Sequence, residues 1–320
     1  MAYAASIGGI ATLIGTPPTA IFAAAARQVT GQAVGFAEWM LLGLPLAAAM
    51  LAVCWVVLVR VVQRVSGPLE GIGELLAAER AALGSWTAGQ RVTVAVLAAT
   101  ALAWVLREPK MIGGITVPGL TTLAPGLSDA GIAMIASLIL FVTSVGTNGV
   151  EEKRRGEASR ETGVGTTRVL DWDSARRIPW DVLLLFGGGL ALAAAFEGSG
   201  LAAWLAGRLG GLAGAPTVVV VGAVTLFFVL LTELTSNTAT AAMAMPLAAS
   251  LAPAFGVAPV PLMAAAALGS ALGFMLPVGT PPNALAYGTG AVSVREMARA
   301  GIWLDLAGAA LITLAVTLWA

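Results

Sequence analysis

From Leu234 to Val294 the chain runs for 61 residues without one Asp, Glu, Lys or Arg, and nothing else in the sequence limits its fold as sharply. A soluble domain has no use for so long an uncharged and largely apolar stretch, because charged side chains are what normally face its water. In hydrocarbon, by contrast, the peptide groups find no water and must bond to one another, which an open chain does by forming helices. Further charge-free runs extend from Met1 to Ala26, Met40 to Val59, Val92 to Leu106, Ala130 to Val150, Val182 to Phe196 and Leu209 to Thr232, and Ala300 to Ala320 is interrupted only by Asp305. Several reach the roughly 20 residues that cross a bilayer, so about seven or eight membrane elements are expected.

The expected fold class is therefore all-α, a polytopic membrane protein whose main partner is the lipid bilayer, most simply that of a bacterial inner membrane. With 58% hydrophobic and 11% charged residues and a mean hydropathy of +0.90, composition excludes a soluble alternative of this size. Lys plus Arg and Asp plus Glu both number 17, so no basic excess points to nucleic acid. The chain has no histidine and a single cysteine, Cys54, which excludes zinc sites of Cys and His, an internal disulfide and histidine proton relays. No nucleophile with a base and no paired membrane carboxylates are visible, so an intramembrane enzyme is not expected.

Orientation follows from the basic residues. The polar segments Arg60 to Arg91 and Glu151 to Asp181 read as cytoplasmic, and alternation then puts Arg295 and Arg299 inside as well. That places 13 of the 17 basic residues inside, against Arg27, Arg107, Lys110 and Arg208 outside. Leu120 to Asp129, with Pro125 and Gly126, becomes an external loop. Met1 has no basic flank, so its apolar run is read as membrane sequence and not as a signal peptide.

The segment Ser6-Ile-Gly-Gly-Ile-Ala-Thr-Leu-Ile-Gly-Thr-Pro-Pro-Thr-Ala20 returns 264 residues later as Ser270-Ala-Leu-Gly-Phe-Met-Leu-Pro-Val-Gly-Thr-Pro-Pro-Asn-Ala284. A helix-breaking signature that recurs in two halves of a membrane protein reads as inverted repeats with broken helices that meet at a midplane site. Ahead of the second copy stands Thr232-Glu-Leu-Thr-Ser-Asn-Thr-Ala-Thr240, the polar tip expected of a re-entrant hairpin. Its counterpart in the first repeat would fall before Met1, so the first repeat is expected to be truncated. The domain reading is 1–66 for the end of the first repeat, an unwound helix plus a scaffold helix, and 67–90 for a cytoplasmic linker. A complete second repeat then covers 91–320, with a cytoplasmic loop at 151–181, the hairpin at about 216–253, an unwound helix at about 259–290 and a last helix at 300–320.

Pro281 and Pro282 cannot continue the helix that leads into them, and Gly279 tolerates turns that free carbonyl oxygens from helical partners. Such carbonyls, with the hydroxyl and amide oxygens of Thr232, Ser236, Asn237, Thr238 and Thr280, form the neutral oxygen set that suits a small hard cation such as sodium. Helices that start after Ser236 and after Pro281 would turn positive dipole ends towards an anion. Leu209 to Val294 holds no Lys or Arg, and its one charge is Glu233, so an anion bound there needs a co-bound cation for balance. Proton coupling remains the second option, through Glu233 or Asp305. Ser6, Ser270 and Thr240 read as packing residues bonded one turn back, and Glu233 as either a helix-end partner or a coupling residue.

Across nearly all 320 residues the chain resembles the divalent anion/sodium symporter family. The resemblance is carried by Ser6-Ile-Gly-Gly with Gly15-Thr16-Pro17-Pro18, Ile178-Pro-Trp-Asp-Val-Leu-Leu-Leu-Phe-Gly-Gly-Gly189, Thr235-Ser236-Asn237-Thr238-Ala239-Thr240 and Pro277-Val-Gly-Thr-Pro-Pro-Asn-Ala284. It implies an elevator-like transport domain that moves against a dimeric scaffold, with sodium as coupling ion and a di- or tricarboxylate or sulfate as substrate. It also implies that Thr232, Ser236, Asn237 and the backbone at Gly279 hold one sodium, that Asn237, Thr238, Thr280 and Pro281 touch the substrate, and that Gly15, Thr16 and Pro17 supply half of the other site. A non-transporting fragment and a related oxyanion efflux permease are the alternatives. Thr19 stands where the second copy has Asn283, a difference whose effect the sequence leaves open.

Overall fold

The computed structural model describes residues 1–31, 33–62, 72–112, 115–146, 166–177 and 214–320, with a few isolated positions between 188 and 204. Apart from Gly188, Ala191 and Ala195, the motif at 178–189 and the membrane run at 182–196 lie outside the described residues, as do the first part of the run from Leu209 and residues 151–165 of the loop at 151–181. The chain forms two compact units, one of Met1–Ser66 with Pro179–Ala320 and one of Gly67–Ile178.

The first unit opens with α1 (Ala2–Gly9), which stops where the chain unwinds, and α2 (Pro17–Thr30), which restarts it. Pro17 and Pro18 occupy the first turn of α2, where a missing N–H costs nothing, and Gly31 ends the helix in the left-handed conformation at φ 73°. Helix α3 (Phe36–Val56) begins with Glu38 accepting the Gly35 amide at 3.2 Å and runs on into a π-helical turn, Val57–Val62. Among the described residues, the same unit resumes after the second unit with five helices, described below.

In the second unit, α4 (Ile72–Leu83) precedes α5 (Ala88–Val105), which Thr87 and Gln90 cap reciprocally. A two-stranded ladder of β1 (Lys110–Ile112) and β2 (Ile115–Val117) follows, then the short turn α6 (Leu120–Leu123) and α7 (Asp129–Val142). Asp129 pairs with Arg107 at 2.7 Å, and its carbonyl accepts the Trp104 indole at 3.0 Å, which ties α7 to the end of α5. The ladder of β3 (Ser144–Gly146) and β4 (Thr166–Arg168) and the short α8 (Trp172–Ala175) complete the described part.

Back in the first unit, α9 (Thr217–Leu234) and α10 (Asn237–Phe255) are joined through Thr235 and Ser236 alone. Gly256, at φ 68°, turns the chain into α11 (Pro259–Ala271). The chain then unwinds from Leu272 to Thr280, rewinds as α12 (Pro281–Gly288) and ends in α13 (Val294–Trp319). Every residue of α11 from Val260 to Ala271 is buried, and α9, α10, α2 and α13 all pack on it. Ala264 to Ala267 keep its girth small, so backbones approach closely, which is the form packing takes where lipid removes any hydrophobic gain between helices.

Among the described residues, four helices are long and apolar enough to cross a membrane: Phe36–Arg60, Ala88–Val105, Thr217–Leu234 and Val294–Trp319. The other charge-free runs among the described residues do not make single long helices. Met1 to Ala26 is interrupted between Gly9 and Pro17, the run into α11 and α12 is interrupted between Ala271 and Pro281, and α7 stops at Val142. The cause is in each case the Gly, Thr and Pro content that the hydropathy of a run does not register.

Candidate functional site

The unwound segment from Leu272 to Thr280 lies against the end of α9 and the start of α10. Thr232 is fully buried, and its hydroxyl stands 2.7 Å from Asn237 Oδ1 and 3.1 Å from the Ser270 carbonyl. The Asn237 amide reaches the Ala271 carbonyl at 3.5 Å. These groups gather over Gly273: a methyl placed there would meet Asn237 Oδ1 at 3.4 Å, the Thr232 methyl at 3.7 Å and the Thr280 methyl at 3.8 Å. Thr232, Asn237 and Thr280 therefore converge on Gly273.

Gly279 is buried on the other side of the same loop, its amide donating to the Leu276 carbonyl at 3.1 Å. A Cβ there would fall 3.2 Å from the Gly273 carbonyl and 3.6 Å from Glu233 Oε2. Glu233, only 3% exposed, accepts the Met275 amide at 2.8 Å and the Leu276 amide at 3.0 Å. Its carboxylate thus satisfies two donors that the broken helix would otherwise leave unmet at membrane depth. Thr280 caps α12 by accepting the Asn283 amide at 3.4 Å, and Pro281 follows it, exposed. Ser236 is exposed at the tip before α10, and its side chain caps no amide of that helix, so the first-turn N–H groups of α10 remain available to an external acceptor. Thr238 is half-buried two residues further on.

The first Gly-Thr-Pro-Pro segment repeats this local geometry. Thr16 and Thr280 share one backbone conformation, φ −138° and ψ 151° against φ −140° and ψ 149°. The Gly15 amide donates to the Thr12 carbonyl at 3.3 Å as Gly279 does to Leu276. A methyl on Gly15 would overlap the Gly9 carbonyl, so this turn closes more tightly than its counterpart. Each segment is also backed by a glycine of a following helix. Gly43 of α3 lies against the Ile10 and Ala11 carbonyls, and Gly301 of α13 lies directly on Phe274 and Met275. Trp39, fully buried, donates its indole N–H to the Ile10 carbonyl at 3.0 Å. Packing of α1 on α12, and the edge-on contact of Tyr3 with Phe274 at 5.3 Å, bring the two segments into one body. Gly15, Thr16 and Pro17 stand on the first segment, and the close neighbours of Gly15 and Thr16 are Gly9 and Thr19.

The electrostatics of the region are one-sided. Asp305, 2% exposed on α13, faces the Glu233 carboxylate and the Phe274 amide, and neither of its oxygens has a hydrogen bond of good geometry among the described residues. The two arginines of α13, Arg295 and Arg299, are exposed. Two buried carboxyl groups and a cluster of carbonyl and hydroxyl oxygens thus stand together with no ion pair to either carboxyl among the described residues, an arrangement that suits a bound proton or cation. Residue-type reasoning did not single out Gly273 or the buried Asn283 as contributors. The one signal for Asn283 was its place directly after the second Pro-Pro, matched by Thr19 after the first.

Broken helices, a helix–turn–helix with a polar tip and several long apolar helices are those of an α-helical multi-pass membrane protein. The sequence matches the family model described as the sodium:sulfate symporter transmembrane region over residues 1–320, and the chain belongs to that family. It is 36% identical over 315 residues to a sodium-dependent dicarboxylate transporter, SdcS, of Staphylococcus saprophyticus, and 38% identical over 315 residues to the SdcS of a bovine strain of Staphylococcus aureus. Both alignments cover 98% of this chain and 56% of the relative, so the chain spans little more than half the length of the curated relatives it matches.

Proposed function

We propose that this chain carries a cation- and substrate-binding portion of a secondary active transporter that couples sodium to symport of a small divalent anion, a di- or tricarboxylate or sulfate. The observation that carries the reading is the convergence of Thr232, Asn237 and Thr280 on Gly273, beside the N-termini of two helices. Thr232, Ser236, Asn237 and the Gly279 backbone would hold one sodium, and Asn237, Thr238, Thr280 and Pro281 would touch the anion. Gly15, with Thr16 and Pro17, would contribute to a second, related site.

Each half of this design needs the other. The first-turn amides of α10 and the positive dipole end of α12 attract an anion, but an anion without a counter-charge is costly to desolvate. A sodium on the neighbouring oxygens supplies that charge, so cation and anion favour each other's binding, which is what coupling requires. The names of the relatives carry sodium and dicarboxylate, and the family's description carries sodium and sulfate, which supports this ion and this substrate class. The reading includes internal inverted repeats, a re-entrant α9–α10 hairpin, elevator-like movement and a homodimeric assembly. A second reading has an observation behind it as well: because the chain spans 56% of its relatives, the 320 residues by themselves would bind these ions without carrying them across.

Asn237→Ala tests the site assignment. In a membrane carrying the longest form of this protein, the substitution is expected to reduce sodium-stimulated uptake of succinate or sulfate to the level without sodium, with expression unchanged. Uptake at the unsubstituted level would refute the assignment.

A further inference from the structure

The residue that follows each Pro-Pro pair is fully buried, Thr19 in the first segment and Asn283 in the second, and both turn back onto the carbonyls that the broken helix has freed. Their chemistry differs. Asn283 Nδ2 has two hydrogens and two acceptors, the Gly273 carbonyl at 2.7 Å and the Leu276 carbonyl at 3.2 Å. Thr19 has one hydroxyl hydrogen, and four oxygens surround it: the Thr12, Leu13 and Thr16 carbonyls at 3.2, 3.0 and 2.9 Å, and Thr16 Oγ1 at 3.0 Å. One proton satisfies one of these carbonyls at a time.

The two braces share one attachment. Leu276 and Thr12 hold corresponding places, since each accepts the amide of the glycine three residues on, Gly279 or Gly15. The second attachment of Asn283 has no side-chain equivalent. Gly273 corresponds to Gly9, and the Gly9 carbonyl receives only a long backbone contact from Thr12 at 3.5 Å among the described residues. It is at Gly273 that Thr232, Asn237 and Thr280 gather.

We infer that Asn283 is a positioning residue that fixes the Gly273 and Leu276 carbonyls and so holds the second segment in its cation-binding shape, while Thr19 leaves the first segment more pliant. The bracing is a matter of geometry. Its consequence for sodium rests on the function proposed above, and the experiment separates the two.

The full chain is purified in detergent micelles as wild type, as Asn283→Thr, which copies the first segment, and as Asn283→Leu, which keeps the volume and removes the donors. Hydrogen exchange without sodium reads the brace, and melting temperature in sodium chloride against choline chloride at equal ionic strength reads sodium. Loss of one brace hydrogen bond is expected to speed exchange at the Gly279 amide about fivefold in Asn283→Thr and more in Asn283→Leu, with α11 amides unchanged. The sodium concentration for half-maximal stabilisation should rise several-fold in the same variants. Thr19→Asn, which adds the second donor to the first segment, should slow exchange at Gly15. Wild-type exchange at Gly279 in Asn283→Thr overturns the brace, as does faster exchange that spreads through α11. Faster exchange at Gly279 in a protein whose wild type gains no stability from sodium upholds the brace and removes the sodium reading. If Asn283→Leu does not fold, Asn283→Thr and Thr19→Asn carry the test between them.

Discussion

Glu233 shows what a single residue does at a helix break. Its two oxygens accept two consecutive amides of the unwound segment, Met275 and Leu276, at a depth where neither would find water. Glu233→Gln keeps the shape but offers one acceptor and one NH2 group, so one amide meets a donor. The expected loss is about 1 to 3 kcal/mol of stability, the usual consequence of leaving a buried donor unmet, read as a lowered unfolding midpoint in mixed micelles. A midpoint unchanged from wild type would mean that the two amides are satisfied from elsewhere. The polar run around Ser236 could be read from the sequence because uncompensated polar groups in so long an uncharged stretch are conspicuous. The partners of Glu233 could not. They are backbone amides 42 and 43 residues away, and no residue type marks them.

At the scale of elements, breaks matter more than lengths. The Pro-Pro pairs were legible as the points where α2 and α12 begin, since proline suits the first helical turn best. The helices that support each break were less so, because their glycines serve contacts and not turns. Gly301 of α13 lies so close to Phe274 and Met275 that a methyl would overlap their backbone, whereas Gly8 of α1 has nothing within 4 Å of the same position. Gly301→Ala is accordingly expected to destabilise the protein by roughly 1 to 3 kcal/mol through overpacking, and Gly8→Ala to leave stability unchanged or slightly raised by its helix propensity. Thermal unfolding of the two variants side by side checks this. Equal midpoints would show that α13 can move away from the unwound segment at little cost. The stretch at about 259–290 reads from the sequence as an unwound helix. The structure divides it into 13 helical residues, an unwound loop and 8 more, with Gly273, Pro277 and Gly279 in the loop and Pro281 and Pro282 at the restart.

For the whole molecule, the multi-pass membrane class was legible from charge spacing alone, and membership in the sodium:sulfate symporter family agrees with it. The division of the chain was harder to read. One compact unit combines Met1–Ser66 with Pro179–Ala320, sequence that the 112 residues of the other unit separate, and hydropathy contains no signal for which distant helices close on each other. That closure is what sets the two Gly-Thr-Pro-Pro segments in one body, with α1 on α12 and α2 on α10 and α11. The central claim is that this body couples sodium to a divalent anion. It is tested most directly by uptake of labelled succinate, citrate and sulfate into proteoliposomes with an inward sodium gradient, with a matched potassium gradient and with none, using the longest form of the protein beside the 320-residue chain. The account predicts that at least one of the three anions accumulates in the longest form only under the sodium gradient. Accumulation that is equal with sodium and potassium, or none of any anion, would contradict it.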